Sequence, residues 1–249
     1  ITMNSFTIAS RELRSLFLSP LAWTILGVSQ IILAYMFLTQ IDYYLAIQPK
    51  LIGIPGAPGV TDLIVAPLFG NAAVILLLII PLLTMRTISD ERRNKTISLL
   101  FSAPVSLTEI VLGKFLAIFA FLLIILLSIT LMPLSLLTVG ELDIGKLFAC
   151  LLAMVLLMAS FNALGLYMSA IASQPTVAAI GSFGALLLLW IIDWAGNSSS
   201  VLEYISIMRH FENLLRGLIH STDIFYFILF IAGFLILSIR RLDNDRLQK

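Results

Sequence analysis

The chain has 249 residues, of which 60% are hydrophobic and only 12% charged, with a mean hydropathy of +1.06 and a formal net charge of +1. Soluble domains carry about a quarter charged residues, so one aqueous core cannot hold this much apolar side chain and the bilayer must be the solvent. The near-neutral charge gives no electrostatic footprint for nucleic acid, and a single cysteine, Cys150, excludes a disulfide framework within these residues.

The first element is an amphipathic helix over residues 4–19. Phe6, Ala9, Leu13, Leu16 and Phe17 fall on one helical stripe, with Arg11, Glu12 and Arg14 beside it. Ser19-Pro20 breaks the helix before the first span. The pattern reads as a helix in the membrane interface. A plain basic flank and a partner-touching helix both fit.

A spanning helix needs about 20 apolar residues. Six candidates follow: Leu21–Gln40, Leu63–Met85, Leu107–Leu137, Leu147–Ser173, Thr176–Ile192 and Ile224–Ile239. The first is too long for the apolar region of a secretory signal and is expected to stay as an anchor. Six spans place both termini on one side. With the termini inside, 11 Lys and Arg face inward and 4 face outward, so the positive-inside rule puts the termini in the cytoplasm. A single membrane domain is expected over residues 1–249, with no internal repeat. The connector Ile41–Asp62 holds three prolines, which argue against a long helix there. It reads as an irregular link, or as a contact for an accessory membrane or periplasmic protein.

The densest charge cluster lies between spans two and three, in residues 87–105. Thr87 with Asp90 reads as a helix start, Ile97, Leu100 and Phe101 form an apolar patch, and Glu91, Arg92 and Lys95 supply a wet side. Pro104 ends the element. Ser106 and Glu109 then form an S-x-x-E capping box for span three, with Val105 and Ile110 placed for a hydrophobic staple. The segment is either a stiff handle for a soluble partner or a solvated loop that sets orientation.

Gly140 to Lys146, GELDIGK, satisfies the phosphate-loop spacing G-x-x-x-x-G-K, but Leu147 stands where the magnesium-binding hydroxyl belongs. We read it as a turn between spans three and four. His210 and His220 are the only histidines and have no companion cysteine, so neither a metal site nor a catalytic group is expected. Arg209, Glu212 and Arg216 can form an ion-pair ladder on one helix face. Residues 196–222 are expected to form short interfacial or re-entrant helices. No charge lies near the middle of a span, where it would cost about 2.5–3.5 kcal/mol and mark an ion path; this disfavours a proton-coupled secondary transporter. Gly165, Ser169 and Ser173 on span four, and Gly181 and Ala185 on span five, form small-residue ridges that permit close helix packing. The tail from Arg240 alternates basic and acidic residues and is expected to extend span six.

Three stretches resemble the ABC-2 type permeases. IASRELRSLFLSPLAW looks like their basic opening helix and first span. PLLTMRTISDERRNKTISLLFSAPVSLTEIVLGKFLA resembles their pattern between spans two and three. YISIMRHFENLLRGLIHSTDIFYFILF resembles the last external segment and sixth span of the gliding-motility-type branch. The resemblance implies an all-α integral membrane protein with six spans and an N-terminal interface helix, in the ABC-2 (type V exporter-like) permease fold. It implies an inner-membrane export permease without its own ATPase site. Its partners would be a dimer of cytoplasmic ABC ATPases, which bind the ATP and Mg, a second permease copy or paralogue, and membrane lipid. It places a coupling helix on Ser89–Phe101, with Asp90, Glu91, Arg92, Arg93 and Lys95 as polar contacts and Leu99, Leu100 and Phe101 as apolar anchor. Arg209, His210, Phe211, Glu212 and Arg216 fall in the extracytoplasmic gate. Relatives near the gliding branch imply an alternative, a membrane subunit that transmits force or signal without moving a solute.

Overall fold

In the computed structural model the described residues are 2–51, 58–96, 105–138, 142–195 and 206–247, and every regular element among them is helical. We number the helices α1 Thr2–Leu18, α2 Pro20–Leu51, α3 Ala66–Thr84, α4 Ser89–Arg93, α5 Leu107–Ser135, α6 Ile144–Ile171, α7 Pro175–Ala195, α8 Ile207–Leu215 and α9 Ser221–Leu247. A π-helical turn, Thr61–Val65, leads into α3, and a 3-10 turn, Leu136–Thr138, ends α5. Among the described residues six helices are long and apolar enough to cross a membrane.

α6 is the centre of the bundle. It packs against α3, α5, α7, α8 and α9, and Met154, Leu157, Phe161 and Leu166 on it are fully buried. α2, α7 and α9 lie at the periphery and keep broad apolar faces exposed, including Ile31, Tyr35, Leu188 and Leu229. Such faces are normal where lipid or another membrane helix is the neighbour. Gly165 of α6 abuts Thr84 of α3 so closely that a Cβ there would overlap the Thr84 side chain. Gly181 faces Met168 in ordinary contact, whereas Ser173 lies beyond the end of α6 and is exposed. The small-residue ridge on span four is therefore used at Gly165 and Ser169 only.

Local chemistry explains the helix starts. Pro20 opens α2, where a missing N–H costs nothing. Ser106 and Glu109 form the expected capping box: Ser106 N–H donates to Glu109 Oε2 at 2.8 Å, and Glu109 N–H to Ser106 Oγ at 3.3 Å. Asp143 caps α6 by accepting the Lys146 N–H at 3.1 Å.

Several expectations need correction. Connector residues 41–51 continue α2, a 32-residue helix about 48 Å long. Pro49 lies in its last turn, where the helix forgoes one backbone hydrogen bond and ends two residues later. On α1 the inward stripe is Ser5, Ile8, Ala9, Glu12, Leu13, Leu16 and Phe17; Phe6 points outward at 67% exposure. α1 also docks on protein, along the start of α5, where a Cβ at Gly113 would lie 2.7 Å from Ile8 Cγ2. The tail helix behaves as expected, continuing to Leu247.

Candidate functional site

α1, α4, the start of α5, the end of α6 and the end of α9 meet at one end of the bundle, which we call the basic end. α4 is shorter than its pattern suggests: it stops at Arg93 instead of Phe101. The cause is a closed C-terminal motif. Thr96 N–H donates to Glu91 O at 2.9 Å, Lys95 N–H donates to Arg92 O at 3.1 Å, and Lys95 adopts a left-handed φ of 57°. Leu99, Leu100 and Phe101 lie outside the described residues.

Thr87 does not start α4. Its hydroxyl donates to Thr84 O at 2.6 Å, closing the end of α3. Two of the orphan donors of α4 are met from α6: Ser169 Oγ accepts the N–H groups of Ile88 and Ser89 at 3.1 and 3.2 Å and donates to Met85 O at 3.1 Å. One buried hydroxyl thus holds the turn between α3 and α4 against the central helix.

Lys114 is the second tie. Its ammonium donates to Glu12 Oε1 of α1 at 3.1 Å, to Glu91 Oε1 of α4 at 2.9 Å, and to Thr87 O at 2.7 Å. All three donors of the ammonium are used, and only 5% of its side chain is exposed. Arg92 forms the third tie, an ion pair with Asp245 of α9, which Arg241 approaches at 3.7 Å. Ile88, Leu107, Ile110, Val111, Leu166, Ala170 and Leu242 form an apolar floor beneath these pairs, and Val105 packs on it as the staple requires.

The predicted contact residues therefore divide. Glu91 and Arg92 turn back into the permease. Arg93, Asn94 and Lys95 are exposed, and Asp90 is half-exposed. Arg11 and Arg14 are exposed on α1, while Glu12 points to Lys114. A cavity of about 320 Å³ between α1 and α4 is lined by Glu12, Ser15, Arg86, Asp90, Glu91 and Lys114. A second, of about 380 Å³, separates α4 from the start of α7 and is lined by Arg86, Asp90, Arg93, Asn94 and Thr176. α4 thus has a cavity on each side, one of mixed lining that includes Leu16, Leu82 and Leu83 and one mostly polar.

At the opposite end α8 buries Phe211 and Leu214 completely. Ser206 caps it, accepting the Arg209 N–H at 3.3 Å. His210 Nδ1 lies 2.6 Å from Asp223 Oδ1 of α9, and its ring stacks on Tyr226 with centroids 4.2 Å apart. Asn213 Nδ2 donates to Asp223 Oδ2 at 3.4 Å. These groups line a cavity of about 550 Å³ with Arg209 and Thr222. Of the expected ladder, Arg216 pairs with Glu212 at 3.3 Å on the surface. Of the phosphate-loop lookalike, Gly140 and Glu141 lie outside the described residues; Asp143 is a helix cap, Gly145 sits in the first turn of α6, and Lys146 pairs with Asp62.

Sequence reasoning missed Ser169 as a cap, Asp223 as the partner of His210, and Asp245 as the partner of Arg92. Asp223 had a visible sign, an acid at the start of a helix in the D-x-x-Y-F stretch. Ser169 and Asp245 had none, since their partners lie 80 and 153 residues away.

No curated protein matches this chain. A family model described as ABC-2 family transporter protein matches residues 7–247. The match supports the family and not the gliding-motility branch. The six apolar helices and a match across nearly the whole chain agree, and the chain belongs to the ABC-2 family of transporter proteins.

Proposed function

We propose that this permease is the inner-membrane subunit of an ATP-driven exporter, with the basic end and both termini in the cytoplasm. A separate pair of ABC ATPases would bind the ATP and Mg and seat against α4, and a second permease copy would complete the membrane path. The observation that carries the reading is the triple tying of α4, through Ser169 to α6, through Lys114 to α1 and α5, and through Arg92 to α9. A braced element transmits rigid-body motion that a loose loop would absorb. Lysines and arginines concentrated at this end support the cytoplasmic orientation.

The geometry also supports a division of labour within the predicted contacts. Glu91 and Arg92 brace the element from within. Asp90, Arg93 and Lys95 supply the charged rim toward the ATPase, with Leu99, Leu100 and Phe101 as the apolar anchor. α8, at the far end, serves as the extracytoplasmic gate through Arg209, His210, Phe211, Glu212 and Arg216.

The test is mild detergent extraction, followed by an ATPase assay of the purified complex. The Arg93→Glu, Lys95→Glu double variant is expected to lose ATPase activity from the eluate while the permease keeps its melting temperature. If wild type yields no nucleotide-hydrolysing partner under mild extraction, the reading is wrong.

A further inference from the structure

α9 is anchored by a carboxylate near each of its ends. Near its start Asp223 is 2% exposed and accepts from His210 and Asn213 of α8. Near its end Asp245 pairs with Arg92 of α4. The two aspartates are 22 residues apart in one unbroken helix, a span of about 33 Å, close to the thickness of the hydrocarbon core. Between them α9 lies along α6 on one face, with Phe234 against Tyr167, and leaves the rest of its surface outside the bundle. It is the least buried of the six spanning helices, and its buried side chains besides Asp223 are Phe227, Ser238 and Leu242. Ser238 only returns its hydroxyl to Phe234 O in the preceding turn. Gly233, at mid-helix, has nothing within 4 Å of where its Cβ would be.

A stiff helix gripped at both ends, with most of its surface outside the bundle, moves as one body. We propose that α9 is a transmission rod that links α4 directly to α8 across the membrane, with Asp245 and Asp223 as its positioning residues. A displacement of α4 then reaches the His210–Asp223 contact along α9 itself. His210 and Asn213 are the groups that feel it, and the wall of the 550 Å³ cavity is what changes. The link belongs to the chain itself, so it can be measured without an ATPase and stands or falls separately from the exporter reading.

The test uses the full chain in nanodiscs, in a Cys150→Ala background, with Thr222→Cys as reporter on the rim of that cavity. The readout is the rate of alkylation by a maleimide. Asp245→Asn is expected to raise the rate about fivefold, the lower end of typical coupling between sites. Arg92→Gln, which breaks the same pair from α4, is expected to do the same and carries the test if Asp245→Asn does not fold. Exchanging the pair, Arg92→Asp with Asp245→Arg, should restore the original rate. Asp243→Asn removes an exposed carboxylate from the same end of α9 without touching the Arg92 pair and should leave the rate unchanged. The proposal is overturned if neither Asp245→Asn nor Arg92→Gln changes the rate in folded protein, or if Asp243→Asn raises it equally.

Discussion

Ser169 Oγ, in the last turn of α6, lies 3.1 Å from the backbone nitrogen of Ile88. The same oxygen accepts from Ser89 and donates to Met85 O, so one side chain satisfies three backbone groups of the α3–α4 turn. Ile88, Ser89 and Ser169 are all buried. Each buried group left unsatisfied costs about 1–3 kcal/mol. We expect Ser169→Ala to destabilise the permease by at least about 2 kcal/mol and to lower its melting temperature in detergent. Ser173→Ala, one turn on and exposed, should leave it unchanged. Equal melting temperatures for the two variants would remove Ser169 from the fold's support.

The contact between Gly165 and Thr84 makes a steric prediction. A Cβ at Gly165 would overlap the Thr84 side chain, and Thr84 is itself fixed by its hydroxyl bond to Ile80 O at 2.9 Å. Overpacking of this kind costs about 1–3 kcal/mol. Gly165→Ala should destabilise by that amount, with partial rescue by Thr84→Ala. Gly27→Ala, where nothing lies within 4 Å, should be neutral or slightly stabilising in detergent because alanine is the better helix former. Thermal unfolding of the four proteins decides it.

These two sites show how far the sequence could be read. Six spans, the capping box at Ser106 and the extended tail helix were legible because each rests on residues within a few positions of one another. Gly165 and Ser169 were visible as a ridge, but not what the ridge met, since Thr84 and Ile88 lie about 80 residues earlier. The length of α4 was misread for a different reason. An apolar pattern through Phe101 outweighed the signal at Asn94-Lys95, because lysine rarely takes the left-handed turn that glycine takes freely. Ionic residues were the hardest. Glu91 and Arg92 have the composition of a partner-facing rim, and only the fold shows that Lys114 and Asp245 stand opposite them.

Lys95 offers a test of that misreading. At φ 57° it holds a conformation that costs a residue with a Cβ about 1–2 kcal/mol. Lys95→Gly should relieve most of this and tighten the closed end of α4. Hydrogen exchange at the Lys95 and Thr96 amides, which donate to Arg92 O and Glu91 O, should slow in the variant. Faster exchange would mean that the turn is not formed in the membrane. The variant also removes one rim charge, so stability and ATPase binding should move in opposite directions.

Lys114 is the strongest single test of the basic end. Its ammonium neutralises Glu91, whose side chain is 24% exposed, and Glu12, which is 40% exposed. Removing one partner of a buried ion pair costs about 3–5 kcal/mol because the other charge is left uncompensated. Water reaches Glu12 and relieves part of that, so we expect about 3 kcal/mol for Lys114→Met, most of it through Glu91. If that is the cause, Glu91→Gln in the Lys114→Met background should recover stability, because a neutral amide needs no counter-charge. Glu12→Gln in the same background should recover little. A double-mutant cycle of melting temperatures over Lys114, Glu91 and Glu12 separates the two pairs. Equal recovery from Glu91→Gln and Glu12→Gln would mean that α1 and α4 share the ammonium evenly. The bracing of α4 would then depend as much on the N-terminal helix as on α5.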